Sequence, residues 1–336
     1  MVLQTAAVGD AYDRQHRGDC QHVFFENIHE KGQEMKIRSC ARMTVAMVLA
    51  VAGYALVWTS SARASTLANY RLTSTISLPS EASEASAIAY NWDNGNLFVL
   101  GDEGDALVEI TRTGTVVSTM TLSGFADTEG LTYIGSGQFV LTEERLRDAY
   151  VLTYGAGGSV DRSGLVSADL GTTVGNIGIE GIAYERSAGT YFTVKEKTPQ
   201  EVNQNTINFG TGAVTTTPLF DPAGLGVSDL SDIAVLSNSA LFAGTSKHDH
   251  LLIYSQESQK LLEVSRTGTL LSRFDFAAIA GDAEGVTIDD NGLIYIAGEA
   301  PAVYVLTPVP EPSTALMIVI GLAAIPWFRR RAAGWR

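Results

Sequence analysis

An all-β propeller of about five four-stranded blades is the fold the sequence predicts, and three observations carry the prediction. One short motif recurs five times between Asn69 and Pro308, at steps of 43, 51, 51 and 53 residues. Periods of this length, made of short apolar runs and turns, mark propeller blades rather than helical repeats. The 33 glycines against 9 prolines suit many strands joined by tight turns. One strand is in surplus at the start of the repeat and one is missing at its end, as a ring closed by its own N-terminus requires.

The first copy opens with Glu84-Ala-Ser-Ala-Ile-Ala-Tyr90, turns at Asp93-Asn94-Gly95 and continues as Leu97-Phe98-Val99-Leu100. Glu129-Gly-Leu-Thr-Tyr133 leads through Gly135-Ser-Gly137 to Phe139-Val-Leu141, and Glu180-Gly-Ile-Ala-Tyr184 through Gly189 to Tyr191-Phe-Thr-Val194. Ser231-Asp-Ile-Ala-Val235 starts the fourth copy, and Glu284-Gly-Val-Thr-Ile288 with Ile294-Tyr-Ile296 makes the fifth. Third strands follow, such as Leu107–Ile110 and Leu261–Val264, then fourth strands such as 116–122 and 270–276. The last copy ends after Val303-Tyr-Val-Leu306, and 70–78 is the surplus strand expected to complete it. A sixth blade arises only if Leu241 to Gly244 opens a further degenerate copy. Gly155-Ala-Gly157-Gly158 reads as a hairpin turn, since it lacks the Lys-Ser/Thr of a phosphate loop.

The chain of 336 residues divides by composition into four stretches. Residues 1–34 are polar, without apolar period, and read as a disordered or untranslated extension ahead of Met35. Residues 35–64 read as a signal peptide: basic Lys36, Arg38 and Arg42, an apolar run from Met43 to Trp58, and small Ala62 and Ala64 before the cleavage point. The propeller spans 65–308. It holds about 12 basic and 30 acidic side chains, within a total formal charge of −14. So acidic a domain repels phosphate backbones, which argues against nucleic acid and for divalent cations or cationic partners. Both cysteines, Cys20 and Cys40, precede it, so it has no disulfide or thiol chemistry.

The remaining stretch, 309–336, carries Pro310-Glu311-Pro312, an apolar run from Ala315 to Phe328 and then Arg329-Arg330-Arg331. The run is a short membrane-spanning candidate, and its arginines would stay on the cytoplasmic side. Motif, apolar run and basic cluster in this order resemble the PEP-CTERM sorting signal of exopolysaccharide-producing Gram-negative bacteria. That resemblance implies recognition at Pro310, Glu311 and Pro312 by an exosortase-type sorting enzyme. It also implies a periplasm-facing anchor, with later release to the cell surface or exopolysaccharide matrix.

In a blade the start of the first strand and the end of the second meet on one face, around one mouth of the central channel. Carboxylates stand at both places: Glu84 opposite Asp102 and Glu103, Glu129 opposite Glu143 and Glu144, Glu180 opposite Lys195 and Glu196, Asp229 opposite Glu257, and Glu284 opposite Glu299. Acids so crowded must share protons or recruit a cation. A hard, oxygen-rich site suits Ca²⁺, with about 6–8 oxygen ligands. Glu129, Glu180 and Glu284 are the leading expected ligands, Glu84 and Asp229 the next. Asp102, Glu103, Glu143, Glu257 and Glu299 form the expected second ring. The alternative for a repeated Glu before Gly is to accept backbone N–H bonds and pin blade to blade, with Lys195, Arg145 and Arg147 neutralising part of the ring. His248 and His250, the domain's only histidines, read as a polar loop rather than a metal site.

Several of these segments together resemble the SdiA-regulated family of bacterial envelope propellers over about residues 69–307. They are the Glu84–Tyr90 opening, Asp102-Glu103, Thr128-Glu-Gly, Glu143-Glu144-Arg145, Ile179–Tyr184 with Lys195-Glu196, and Ala283-Glu-Gly. Ser237 to His250 departs from the pattern as an insertion. The resemblance implies a propeller fold in a group neighbouring calcium-dependent phosphotriesterase-like and phytase-like propellers. The leading expectation is an exported, envelope- or matrix-associated module that binds a ligand or Ca²⁺ at its acidic mouth. The rival is a metal-dependent hydrolase of phosphoesters or lactones with Glu144 or Glu196 as base. A third reading is a protein adaptor using the blade tops and the Ser237–His250 insertion, which an exposed apolar patch there would favour. No Gly-x-Ser-x-Gly elbow supports a serine triad.

Overall fold

A computed structural model describes residues 66–309 except 104, 173, 174 and 280. The extension, signal peptide, cleavage residues Ala62 and Ala64, and the tail with Pro310, Glu311 and Pro312 lie outside the described residues. Among the described residues no helix is long and apolar enough to cross a membrane.

The repeat folds into five sheets. Blade 1 runs Ala85–Tyr90, Leu97–Gly101, Ala106–Ile110 and Val116–Ser123 from axis to rim. Blade 2 comprises Thr128–Gly135, Gln138–Glu143, Asp148–Thr153 and Ser167–Asp169; blade 3 Ile179–Glu185, Thr190–Lys195, Glu201–Asn208 and Ala213–Phe220. Blade 4 comprises Asp232–Val235, Leu251–Ser255, Lys260–Val264 and Leu270–Asp275. Blade 5 comprises Ala283–Ile288, Ile294–Gly298 and Ala302–Pro308, and its rim strand is Tyr70–Ser77, paired antiparallel with Ala302–Pro308. The surplus strand thus closes the ring as the sequence predicts. Leu241–Gly244 opens no sixth blade: Ala240–Phe242 is a 3-10 turn.

Blade 2 departs from the expected plan. After the Gly155–Gly158 turn, Ser159–Asp161 crosses to blade 1 and pairs in parallel with its rim strand before the chain returns as Ser167–Asp169. Gly157 N–H reaches Thr119 O of blade 1 at 3.0 Å, so the glycine turn is steered onto the neighbour rather than closing a simple hairpin.

Inner strands alternate little because both faces are covered: Ala85–Tyr90 and Leu97–Gly101 are buried almost throughout. Each apolar cluster fills the gap between two neighbouring blades, as Phe98, Leu131, Phe139 and Leu152 do between blades 1 and 2. Leu252, Leu261, Val286 and Leu306 do the same between blades 4 and 5. Burial between blades therefore supplies the cohesion, at about 25 cal/mol per Å² of apolar surface.

Around the axis the inner strands touch. A Cβ on Gly181 would stand 2.6 Å from Asp232 Cα of the next blade, so only glycine permits this approach. Backbone and hydroxyl bonds tie the same level together: Thr128 N to Asp102 O at 2.8 Å, Leu230 N to Glu196 O at 3.1 Å, and Ser86 Oγ to Thr128 O at 2.8 Å. The insertion folds back as a strap. Leu241 N bonds Asp290 O of blade 5 at 3.2 Å, and Lys247 Nζ and His250 Nδ1 both reach the buried Glu263 carboxylate at 2.7 and 2.8 Å. Among the described residues the exposed large apolar side chains include Val116, Val117, Leu270 and Leu271, and none lies on the insertion.

Candidate functional site

Five equivalent places end the second strands at the mouth: Asp102, Glu144, Glu196, Gln256 and Glu299. In four of them the backbone N–H closes on the chain entering the inner strand, on Glu84, Asp127, Gly178 and Asp282 carbonyls at 3.0, 2.9, 3.3 and 2.9 Å. In blade 4 Gln256 N–H bonds the Asp229 carboxylate instead. The inner strands contribute Ser86, Glu129, Glu180, Ser231 and Glu284 at the matching level. Two concentric rings result, and blades 1 and 4 place serines where the other three place glutamates.

This register sorts the expected ligands. Glu129, Glu180 and Glu284 stand on the inner ring. Glu84, two residues earlier, is exposed, and its carboxylate joins Asp102 and Glu103 in a separate group with oxygens within 4.8 Å of one another. Asp229 is buried and saturated: it accepts from Ser231 Oγ at 3.1 Å, from Ser255 Oγ, and from the N–H groups of Gln256 and Glu257 at 3.0 and 3.1 Å. A carboxylate so satisfied anchors a turn and has little left for a cation.

Glu143 points away from the mouth. Its buried carboxylate accepts from Ala126 N–H at 2.9 Å and Arg162 Nη1 at 2.7 Å. The outer ring takes Glu144 in its place, because side chains one residue apart leave a strand on opposite faces. Glu257 likewise falls one residue past the ring position held by Gln256, and pairs with Lys197 at 2.8 Å.

The geometry concentrates negative charge between blades 2 and 3. Carboxylate oxygens of Glu144, Glu180 and Glu196 all lie within 4.8 Å of one another. Gly178 sets up the trio: a Cβ there would lie 2.0 Å from Glu144 O, and its N–H holds Glu144 Oε1 at 2.8 Å. Glu180 meets the Glu144 carboxylate and, among the described residues, no N–H or O–H donor; Glu129 has none either. Both are half-buried by exposed area yet deeply surrounded by protein atoms, the condition of groups lining a narrow channel. The surroundings govern their ionisation. Burial, and then Glu284 and Asp127, hold Glu129 well above the usual carboxylate range, and burial with Glu129 and Glu144 does the same to Glu180.

The neighbours follow suit. Glu284 is pushed up to about 9 by burial and by Glu299, and Asp127 to about 6 by burial and Glu144. Asp102 is raised by burial first, and its Oδ1 is inaccessible with no hydrogen-bond donor. The cations expected to neutralise the ring are engaged elsewhere. Lys195 donates to Lys197 O and Pro199 O, and Arg147 lies 3.8 Å from Glu201. Arg145 Nε lies 2.9 Å from Asp127 Oδ2 but directs its hydrogen to Asn176 Oδ1 at 3.0 Å. Blade pinning also falls to backbone and hydroxyl groups rather than to Glu129 or Glu180. Only Glu284 is held, by Gln256 Nε2, which also reaches Glu299.

A hard divalent cation fits this donor set. The trio supplies carboxyl oxygens that a cation can claim by displacing the proton held on Glu180, and Lys197, 2.5 Å from Glu196 Oε1, is the one ammonium paired with it among the described residues. His248 and His250 stay apart on the strap, bonded to Asp249 and Glu263.

Solved structures of similar fold share little sequence with the chain. A gluconolactonase from Xanthomonas campestris is 15% identical over 74% of this chain and 93% of its own, with a TM-score of 0.46. A luciferin-regenerating enzyme is 10% identical over 69% of this chain and 94% of its own, with a TM-score of 0.46. A virginiamycin B lyase from Staphylococcus aureus is 16% identical over 70% of this chain and 69% of its own, with a TM-score of 0.38. The family model for SdiA-regulated proteins matches residues 62–307, nearly the whole five-bladed repeat, and the chain belongs to the SdiA-regulated family.

Proposed function

We propose that this propeller is a binding module that holds Ca²⁺ at its acidic mouth, with Glu144, Glu180 and Glu196 as ligands. The observation that carries the reading is Glu180: a carboxylate deep in the channel that meets other carboxylates and no hydrogen-bond donor. Such a group is expensive to keep unless a cation enters, because burial penalises its charge and its neighbours repel it. The proposed place differs from the axial ring expected from sequence. Serines in blades 1 and 4 break that ring, and Gln256 already donates to Glu284.

The rival reading, a metal-dependent hydrolase with Glu144 or Glu196 as base, would need one of these two carboxylates free of the ion that the trio would hold. On the sequence reading, the module is exported by 35–64 and carried at the envelope or matrix by its C-terminal tail, with a sorting enzyme as the tail's partner.

The test is a melting curve of the full chain with Ca²⁺ and with EDTA, for wild type and for Glu180→Gln. Ca²⁺ at a hundredfold its dissociation constant is expected to add about 2.7 kcal/mol of stability to wild type. Glu180→Gln should lose the response. A wild-type curve indifferent to both additions overturns the reading.

A further inference from the structure

The cation reading leaves the place of Lys197 unexplained. It directly follows the ligand Glu196, and its ammonium stands 2.5 Å from Glu196 Oε1 and 2.8 Å from Glu257 Oε1. Its side chain keeps 36% of its surface exposed, so it faces the opening rather than the core. On the far side of the trio Arg145 is more exposed still, at 58%, and its guanidinium is tethered to Asn176 and Asp127. The acid trio is therefore flanked by two cationic groups, and one of them shares a carboxylate with it.

Glu196 cannot serve an ammonium and a divalent ion equally. Ca²⁺ binds carboxylate oxygen at about 2.3–2.6 Å and carries twice the charge, so it outcompetes Lys197 for Glu196. The trio also leaves the ion short of ligands: three carboxylates fill only part of a shell of about 6–8 oxygens. A loaded mouth then presents two neighbouring positive centres to the same opening, an ion with open positions and an ammonium that has lost one partner. The empty mouth presents the opposite field, since an acidic domain turns anions away.

We propose that the calcium-loaded mouth captures an anionic oxygen group, a carboxylate or a phosphoryl group, bridged between the bound ion and the Lys197 ammonium. This rests on the calcium reading above. It makes the module a conditional one: calcium converts a surface that rejects anions into one that binds them. Binding here is reversible coordination and involves no bond-breaking step.

Calorimetric titration of the full chain with phenyl phosphate and, separately, benzoate tests this, each in saturating Ca²⁺ and in EDTA. At least one of the two should bind with Ca²⁺ and neither with EDTA; which one binds distinguishes a phosphoryl from a carboxylate ligand. Lys197→Met should weaken the anion at least tenfold while binding Ca²⁺ as tightly as wild type or several-fold more tightly, because a competing charge is gone. Lys197→Arg should restore the anion. If wild type binds Ca²⁺ and neither anion, or if Lys197→Met binds the anion unchanged, the bridging proposal is overturned and the cation site stands. Absence of Ca²⁺ binding overturns both.

Discussion

Blades 3 and 4 both bring acids to one mouth, Glu180 at the inner-ring position and Asp229 two residues ahead of Ser231, and treat them in opposite ways. In blade 4 Asp229 is saturated by two hydroxyls and two backbone N–H groups, and the buried Asp232 accepts from Ile233 N at 2.7 Å and Val286 N at 2.6 Å. In blade 3 Glu180 is half-buried, hemmed in by other carboxylates, and among the described residues receives no donor. The desolvation cost falls on both blades: burial holds Asp232 and Glu180 alike well above the usual carboxylate range. Only blade 4 supplies donors from the fold, so its acids act as joints, Asp232 by reaching across to blade 5. Blade 3 leaves the cost open for something outside the chain to settle. One mouth can thus hold structural and cation-facing acids side by side, told apart by their place in the repeat and by the donors around them.

The largest effect expected from this contrast is on stability. Asp229→Ala strands the hydroxyls of Ser231 and Ser255 and the Glu257 N–H and leaves the Gln256 N–H with Ser231 Oγ alone, at about 1–3 kcal/mol for each buried donor left unmet. Allowing for water reaching some of them, a loss of about 3–5 kcal/mol in denaturant unfolding is expected. Glu180→Gln should behave oppositely without calcium, leaving stability unchanged or raised, since it removes one of several mutually repelling carboxylates. Equal losses in the two variants would erase the distinction between the blades.

Much of this architecture is legible in the sequence, and the reasons are physical. Apolar anchors and turns repeat because each blade must bury both faces of its inner strands, so blade count and the closing strand Tyr70–Ser77 can be read directly. Ser159–Asp161 could not be: three residues carry no period, and their partner is a strand of another blade. At the site, the inner ring follows from Glu129, Glu180 and Glu284 preceding glycine. The outer ring does not, because choosing Glu144 over Glu143 needs the register at the strand end, and one residue changes the face. Asp229 illustrates the harder limit. Its sequence context matches a ligand's, and only the donors around it, two of them from Gln256 and Glu257 in the following strand's turn, reveal an anchor. Gly178 is the signal that could have pointed to the trio, as a glycine just ahead of Ile179-Glu180.

For each pH unit a smaller effect is expected, and it falls on Glu284 of the inner ring. Glu284 titrates at about 9 in the folded chain, raised by burial and by Glu299, against an ordinary value of 4.5. The folded state thus keeps a proton that the unfolded chain gives up, so the group's stabilisation is full below about 4.5 and is lost as pH rises through about 9. One whole proton corresponds to a slope of at most about 1.4 kcal/mol per pH unit. Glu284→Gln should flatten the decline in unfolding free energy between those pH values. A slope that survives Glu284→Gln would assign the proton to another member of the ring.

The smallest expected effect lies at the other end of the inner strands, where uncharged hydrogen bonds join neighbouring blades. Thr132 Oγ1 accepts Tyr184 N–H of the next blade at 2.9 Å, Thr287 Oγ1 accepts Tyr90 N–H at 3.1 Å, and Asn238 Oδ1 accepts Arg186 N–H at 3.0 Å. These are blade-to-blade joints without charge. Thr132→Val keeps the shape and removes one acceptor, which should cost about 1 kcal/mol in unfolding and leave the calcium response of the melting curve intact. That pairing of results would place a blade-to-blade joint and cation binding at opposite ends of one strand, Ile179–Glu185, which carries Tyr184 and Glu180. A Thr132→Val variant that lost its calcium response would instead mean that the mouth depends on how tightly the far ends of the blades are joined, and the charge argument for Glu180 would have to include the spacing between blades.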